Sequence, residues 1–124
     1  MKIINIEKLE GHKTIVLTGR DKNVRQIAKH LQAKLYYTPR DTDYFEDYPM
    51  VVNELKEILT YENEIAIITT QNKEFLDCLL ESNIDFVMVT VRQFDNDDSD
   101  VYRLRVLTKE EALANCRAFN FELR

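Results

Sequence analysis

Apolar residues along the chain fall into two rhythms: unbroken or alternating runs that suit strands, and three-to-four-residue spacings that suit helices. The run 13–18, Lys-Thr-Ile-Val-Leu-Thr, is β-rich and closes at Gly19, and behind it Val24, Ile27, Ala28 and Leu31 recur at helical spacing. That predicts a strand, a turn and an amphipathic helix. A second short strand is expected over 35–38, Leu-Tyr-Tyr-Thr, stopped by Pro39, after which a polar stretch rich in Asp and Tyr runs to Tyr48. Pro49 suits the first turn of a helix, where its missing N–H is not needed, and Val51, Val52, Leu55, Ile58 and Leu59 supply the apolar stripe.

The run 64–68, Glu-Ile-Ala-Ile-Ile, is almost continuously apolar, the pattern of a strand covered on both faces, and so predicts a parallel central sheet. Asn72 is placed to cap the helix that follows, whose Phe75, Leu76, Leu79 and Leu80 face inward. A long β run covers 84–94. It is parted from 101–107 by Asp95-Asn96-Asp97-Asp98-Ser99-Asp100, whose turn residues mark a hairpin tip, and Tyr102, Leu104 and Val106 then alternate with Arg103 and Arg105. Thr108-Lys109-Glu110-Glu111 has the form of a capping box opening a short helix through Ala112, Leu113 and Cys116. Helices alternating with buried strands imply right-handed crossovers. The expected fold is one α/β domain over 1–124, a three-layer sandwich of mostly parallel sheet with a C-terminal β-hairpin.

Composition narrows the function classes. With 124 residues, 44% hydrophobic and 31% charged, the chain has the balance of a soluble globular domain able to form a core. Its net charge of −5 builds in no global attraction to nucleic acid or anionic lipid, though a local basic face stays open. The opening Met-Lys-Ile-Ile-Asn-Ile is too short and polar for a signal peptide and no apolar run reaches membrane-spanning length, so the expected setting is cytoplasmic, with no membrane partner. Cys78 and Cys116 sit among helical apolar residues and read as buried thiols. Neither they nor His12 and His30 have metal-ligand or nucleophile spacing, and no cofactor is expected. The acidic tip 95–100 lacks the glycine and glutamate of a calcium loop, since Asp100 and Val106 hold those places.

Four segments of the second half carry a family resemblance: Ile67-Ile68-Thr69-Thr70-Gln71, Lys73-Glu74-Phe75-Leu76, Val101-Tyr102-Arg103-Leu104 and Thr108-Lys109-Glu110-Glu111-Ala112. In this order they resemble the C-terminal lobe of ABC-type AAA family ATPases, a group that includes OLD-type nucleases and SMC-type heads. There a strand ending Thr-Thr-His precedes a helix like S-x-E-F-L, a ribbon with V-Y-R-L and a helix like S-x-E-E-A. The resemblance implies a P-loop NTPase-like fold. It also implies that Gly19, Arg20, Lys22, Asn23, Thr70 and Gln71 are what remains of a nucleotide or phosphate site.

The chemistry of that site is not carried over. Gln71 stands in place of the phosphate-sensing histidine and cannot bear positive charge. Gly19-Arg20-Asp21-Lys22-Asn23-Val24-Arg25-Gln26 offers one glycine and no Lys-Ser/Thr pair where a phosphate-cradling loop reads G-x-x-x-x-G-K-[ST]. Thr38 and Pro39 stand where the magnesium-holding Asp-Glu would be. The expected function is therefore an inactive ATPase-like binding or regulatory module. Its expected partner is a protein, an ATPase or nuclease, held by that edge or by Tyr44, Phe45 and Tyr48 of the aromatic loop; a homo-oligomer is compatible with the same surfaces. Two other readings are a domain that binds nucleotide without hydrolysing it, and a Toprim-like phosphodiesterase holding metal on Asp41 and Asp43. In the latter, Thr18 replaces the catalytic glutamate. For Arg20, Lys22, Arg25 and Lys29 the alternative to phosphate contact is a solvated helix face.

Overall fold

The computed structural model describes residues 2–18, 21–37, 47–70, 72–92 and 101–119, with the backbone alone at 21 and 115–119. In chain order the elements are β1 (Lys2–Ile4), a short 3-10 helix (Ile6–Leu9), β2 (Thr14–Thr18), α1 (Asp21–Leu31), β3 (Lys34–Tyr37) and α2 (Tyr48–Thr60). They continue with β4 (Ala66–Thr69), α3 (Lys73–Glu81), β5 (Val87–Arg92), β6 (Val101–Thr108) and α4 (Lys109–Phe119).

The strands form one mixed sheet in the order β1, β6, β5, β2, β4, β3. β2 lies parallel to both β4 and β5, and β3 parallel to β4. β5 and β6 make the antiparallel ribbon, and β1 runs parallel to β6 at the edge. The chain thus leaves β2 past β4 to β3, then turns back through β4 and across β2 to β5. Right-handed crossovers travelling in opposite directions place their helices on opposite faces. Accordingly Val24, Ile27 and Ala28 of α1 pack with Ile15, Leu17, Ile67 and Val89 on one face. Val52 and Leu55 of α2, Phe75, Leu76 and Leu79 of α3 and Ala112 of α4 pack with Val16, Ile68, Met88 and Leu107 on the other. The result is an α/β architecture with helices on both faces of the sheet, as the alternating pattern predicts.

Local chemistry sets the helix ends. Asp47 accepts the Met50 N–H ahead of Pro49, Asn72 accepts the Phe75 N–H at 3.0 Å, and Thr108 and Glu111 exchange backbone and side-chain bonds as a capping box. The 84–94 run differs from expectation, since its strand starts only at Val87. Ser82 accepts the Ile84 N–H, and the Lys109 ammonium takes the carbonyls of Ser82 and Ile84. Backbone groups committed to that turn are lost to the ladder. β1 is an addition: it is too short to show a rhythm of its own, and is held by pairing with β6 and by Asn5 Nδ2 donating to Leu104 O at 3.1 Å. Among the described residues no helix is long and apolar enough to cross a membrane.

At the other edge, Lys34, Tyr36 and Glu62 tie β3 to the turn before β4. The Tyr36 hydroxyl donates to Glu62, Lys34 lies 3.4 Å from the same carboxylate, and Glu62 accepts the N–H groups of Asn63 and Glu64. The Tyr36 bond above all, then the Glu64 N–H, lowers the Glu62 pKa to about 2. A carboxyl lowered by folding stabilises the native state above its ordinary pKa and loses that contribution as pH falls toward the folded value. Native stability is therefore expected to fall between about pH 4.5 and pH 2 through this group. Urea melts of Glu62→Gln should show a shallower acid slope than the wild type; identical slopes would contradict the assignment.

Candidate functional site

The chain reverses its direction across the sheet between β2 and β4, and α1 and α3 leave the carboxyl ends of these adjacent parallel strands toward opposite faces. In open α/β sheets this is where a crevice opens and ligands bind. The segments joining strand to helix are short: residues 19–20 between Thr18 and Asp21, and residues 70–72 between Thr69 and Lys73.

Side chains from three strands meet along this edge, on the face that α3 covers. Thr18 is buried, and its hydroxyl lies 3.5 Å from Val89 O and 3.4 Å from the Thr90 hydroxyl, the residue it faces in register. Thr70, one residue past β4, is buried and accepts the Asn72 N–H at 3.0 Å. Asn72, 5% exposed, accepts from Phe75 N–H and donates through Nδ2 to the Tyr48 hydroxyl at 2.8 Å. Tyr48 in turn meets Phe75 edge-on, with ring centroids 6.2 Å apart. These bonds join α2, β4 and α3 into one unit. Among the described residues, Thr70 and Asn72 serve helix capping and Thr18 makes the cross-strand contact. These are neutral hydrogen-bonding groups.

The sequence-predicted residues are distributed as follows. Thr70 lies one residue past β4, at the edge, and Asn72 caps α3, the role its sequence position predicts. Lys22 and Asn23 lie in the first turn of α1, whose packed residues belong to the opposite face, with Lys22 exposed and Asn23 half-buried. Tyr48 is half-buried and engaged by Asn72 and Phe75, so it braces the site from within instead of standing out from a loop. Gly19, Arg20, Gln71, Tyr44, Phe45, Asp41 and Asp43, together with the 95–100 tip, lie outside the described residues. Among the described residues no group of three or more His, Cys, Asp or Glu is placed to hold a metal. Cys78 is a half-buried free thiol, its pKa raised chiefly by burial and further by Glu81, Asp77 and Glu74. Thr90 was not singled out by the sequence; the signal that finds it is the parallel register of β2 against β5.

A cavity of about 420 Å³ lies at the opposite edge, lined by residues that include His12, Lys13, Asp85, Phe86 and Lys109. It belongs to the amino ends of the parallel strands β2 and β5, away from the ends at which α1 and α3 begin. Lys109 there is occupied with the turn carbonyls and stands 5.3 Å over the Phe86 ring, and burial lowers its pKa.

Fold and edge together define a class, an α/β domain whose adjacent parallel strands β2 and β4 send their helices to opposite faces. Comparison of the chain with protein-family models, with curated proteins and with solved structures returns no match.

Proposed function

We propose that this chain is an ATPase-like α/β domain without hydrolytic chemistry that acts by binding a protein partner through the outer surface of α2. One observation carries this reading. The exposed large hydrophobics among the described residues are Met50, Ile58 and Tyr61, at 52, 47 and 80% exposure, and all belong to α2 or its C-cap. At helical pitch they fall within about 80° of one another on the solvent side of the helix, with Glu54 inside that sector and Glu57 at its border. Apolar residues gathered on one face mark an interaction surface, and a tyrosine there supplies a rigid, amphipathic anchor. The aromatic segment with Tyr44 and Phe45 leads directly into the start of the same helix.

The ABC-type reading is supported by element order: the Thr-Thr strand end, the Lys-Glu-Phe-Leu helix, the ribbon and the capped last helix follow one another as β4, α3, β5–β6 and α4. By that analogy the partner is an ATPase or nuclease subunit, docked where a second ATPase subunit would sit. The test is a photo-crosslinking residue at position 61, with position 29 on exposed α1 as control, used in the native host. A discrete protein adduct from 61 and none from 29 is expected. Equal adducts from both positions, or none from 61 with the chain folded and abundant, would overturn the reading.

A further inference from the structure

The cavity at the amino ends of β2 and β5, about 420 Å³, is of the size that holds small organic molecules. Three segments build it. Gly11 to Thr14 lead into β2, Asp85 to Val87 lead into β5, and Thr108 and Lys109 join β6 to α4. Gly11 turns the chain at φ 82°, in the left-handed region that glycine enters without steric cost, and a Cβ on it would meet nothing within 4 Å. Space is therefore open beside it. On the other side Val87 opposite Thr108 is the last pair of the β5–β6 ladder, so Asp85 and Phe86 lie beyond the paired strands. The Lys109 ammonium fixes that segment by taking the carbonyls of Ser82 and Ile84.

The walls differ in chemistry. Phe86 and Val87, each 4% exposed, supply the apolar part. His12, Lys13 and Asp85 are exposed, and among the described residues no hydrogen bond or ion pair engages their side chains. Lys109 is half-buried, and its two carbonyl partners orient the ammonium without neutralising it. With histidine counted as neutral, the described lining residues hold two ammonium groups against one carboxylate, a net of one positive charge in a chain whose net charge is −5. Charge and apolar surface together decide the ligand class. A monoanion brings such a cavity to neutrality, whereas a zwitterion leaves the excess unbalanced and a dianion overshoots it. The buried phenylalanine and valine give an organic body something to pack against, which a bare inorganic anion cannot use.

We infer that this cavity binds a small organic carboxylate, its anionic head toward Lys13 and Lys109 and its apolar body against Phe86 and Val87. The site is independent of the α2 surface and of the sheet edge at which α1 and α3 begin, since no residue lining it belongs to either. The wall that carries Asp85 and Phe86 is held by Lys109 before any ligand arrives, which spares the cost of ordering it on binding.

The test is an amide chemical-shift titration of the isotope-labelled intact chain with benzoate, beside benzyl alcohol, inorganic phosphate and phenylalanine at equal concentrations. Benzoate is expected to shift the amides of 11–14, 85–87 and 108–109 as one cluster, saturating at roughly millimolar concentration, as so small a ligand allows, and the other three compounds are expected to shift it less. Lys13→Gln should weaken benzoate about threefold and Asp85→Asn should tighten it about threefold, the effect of one unit charge in a partly exposed setting. Lys56→Gln, on α2, should match the wild type. All three substituted residues are exposed, so folding should survive, and thermal melts check it. Absence of the clustered shifts in a folded wild type, an equal or stronger response to any of the other three compounds, or an Asp85→Asn variant that binds benzoate no more tightly than the wild type would each overturn the proposal.

Discussion

Replacing Asn72 with alanine is expected to destabilise the protein by about 2–3 kcal/mol, enough to lower its melting temperature by roughly 10 °C. Two losses combine. The Phe75 N–H, in the first turn of a helix whose Phe75, Leu76 and Leu79 are fully buried, loses its acceptor, which costs about 1 kcal/mol for a cap of this kind. The Tyr48 hydroxyl loses the Nδ2 donor in a part-buried setting, and a further penalty of about 1–2 kcal/mol follows because the site is shielded from water. Asn72→Asp separates these terms. Its carboxylate still caps α3, where negative charge is favourable, and Tyr48 can rotate its hydroxyl to donate instead of accept. It should melt within about 1 kcal/mol of wild type. If Asn72→Ala melted as wild type does, Asn72 would not be the joint between α2, β4 and α3.

That joint was half legible. An asparagine just before Lys-Glu-Phe-Leu-Asp-Cys-Leu-Leu announces a helix start, because both the cap and the apolar period are local. Its partner Tyr48 lies 24 residues away and is brought near only by the packing of α2 against α3, which no local pattern encodes. The same contrast runs through the sheet. The apolar runs ending at Thr18 and Thr69 read as buried parallel strands, since burial on both faces leaves a continuous signature. β1 has three residues and exists through its pairing with β6, a partner about a hundred positions on, so nothing near it reveals it.

The ribbon shows where pattern ends and register begins. Alternation alone separated Arg103 and Arg105 from Tyr102, Leu104 and Val106. Whether Arg92 would meet Arg103 or sit one place off depends on the pairing of β5 with β6, and a one-residue slip would send every side chain to the opposite face. Likewise the pairing of Thr18 with Thr90 needs β5 beside β2, a consequence of the crossover order.

On the ATPase-like reading proposed above, addition of ATP and magnesium is expected to leave the protein unliganded, because the sequence after β2 lacks the groups that cradle a triphosphate. Cradling a triphosphate takes several successive backbone N–H groups converging on one point, a lysine on the phosphates and a hydroxyl on the metal. The sequence from Gly19 to Gln26 has one glycine and no Lys-Ser/Thr pair, and it carries an aspartate at position 21. Lys22 follows inside the helix with Asn23, not Ser or Thr, behind it. At the neighbouring strand end, Thr70 and Asn72 are committed to α3.

Isothermal titration of the intact chain with ATP in magnesium buffer tests this most directly. A domain that works as a binding scaffold gives heats indistinguishable from dilution into buffer, whereas single-site heat at micromolar affinity, abolished by Lys22→Ala, would show that the carboxyl edge still holds a nucleotide and would contradict the account.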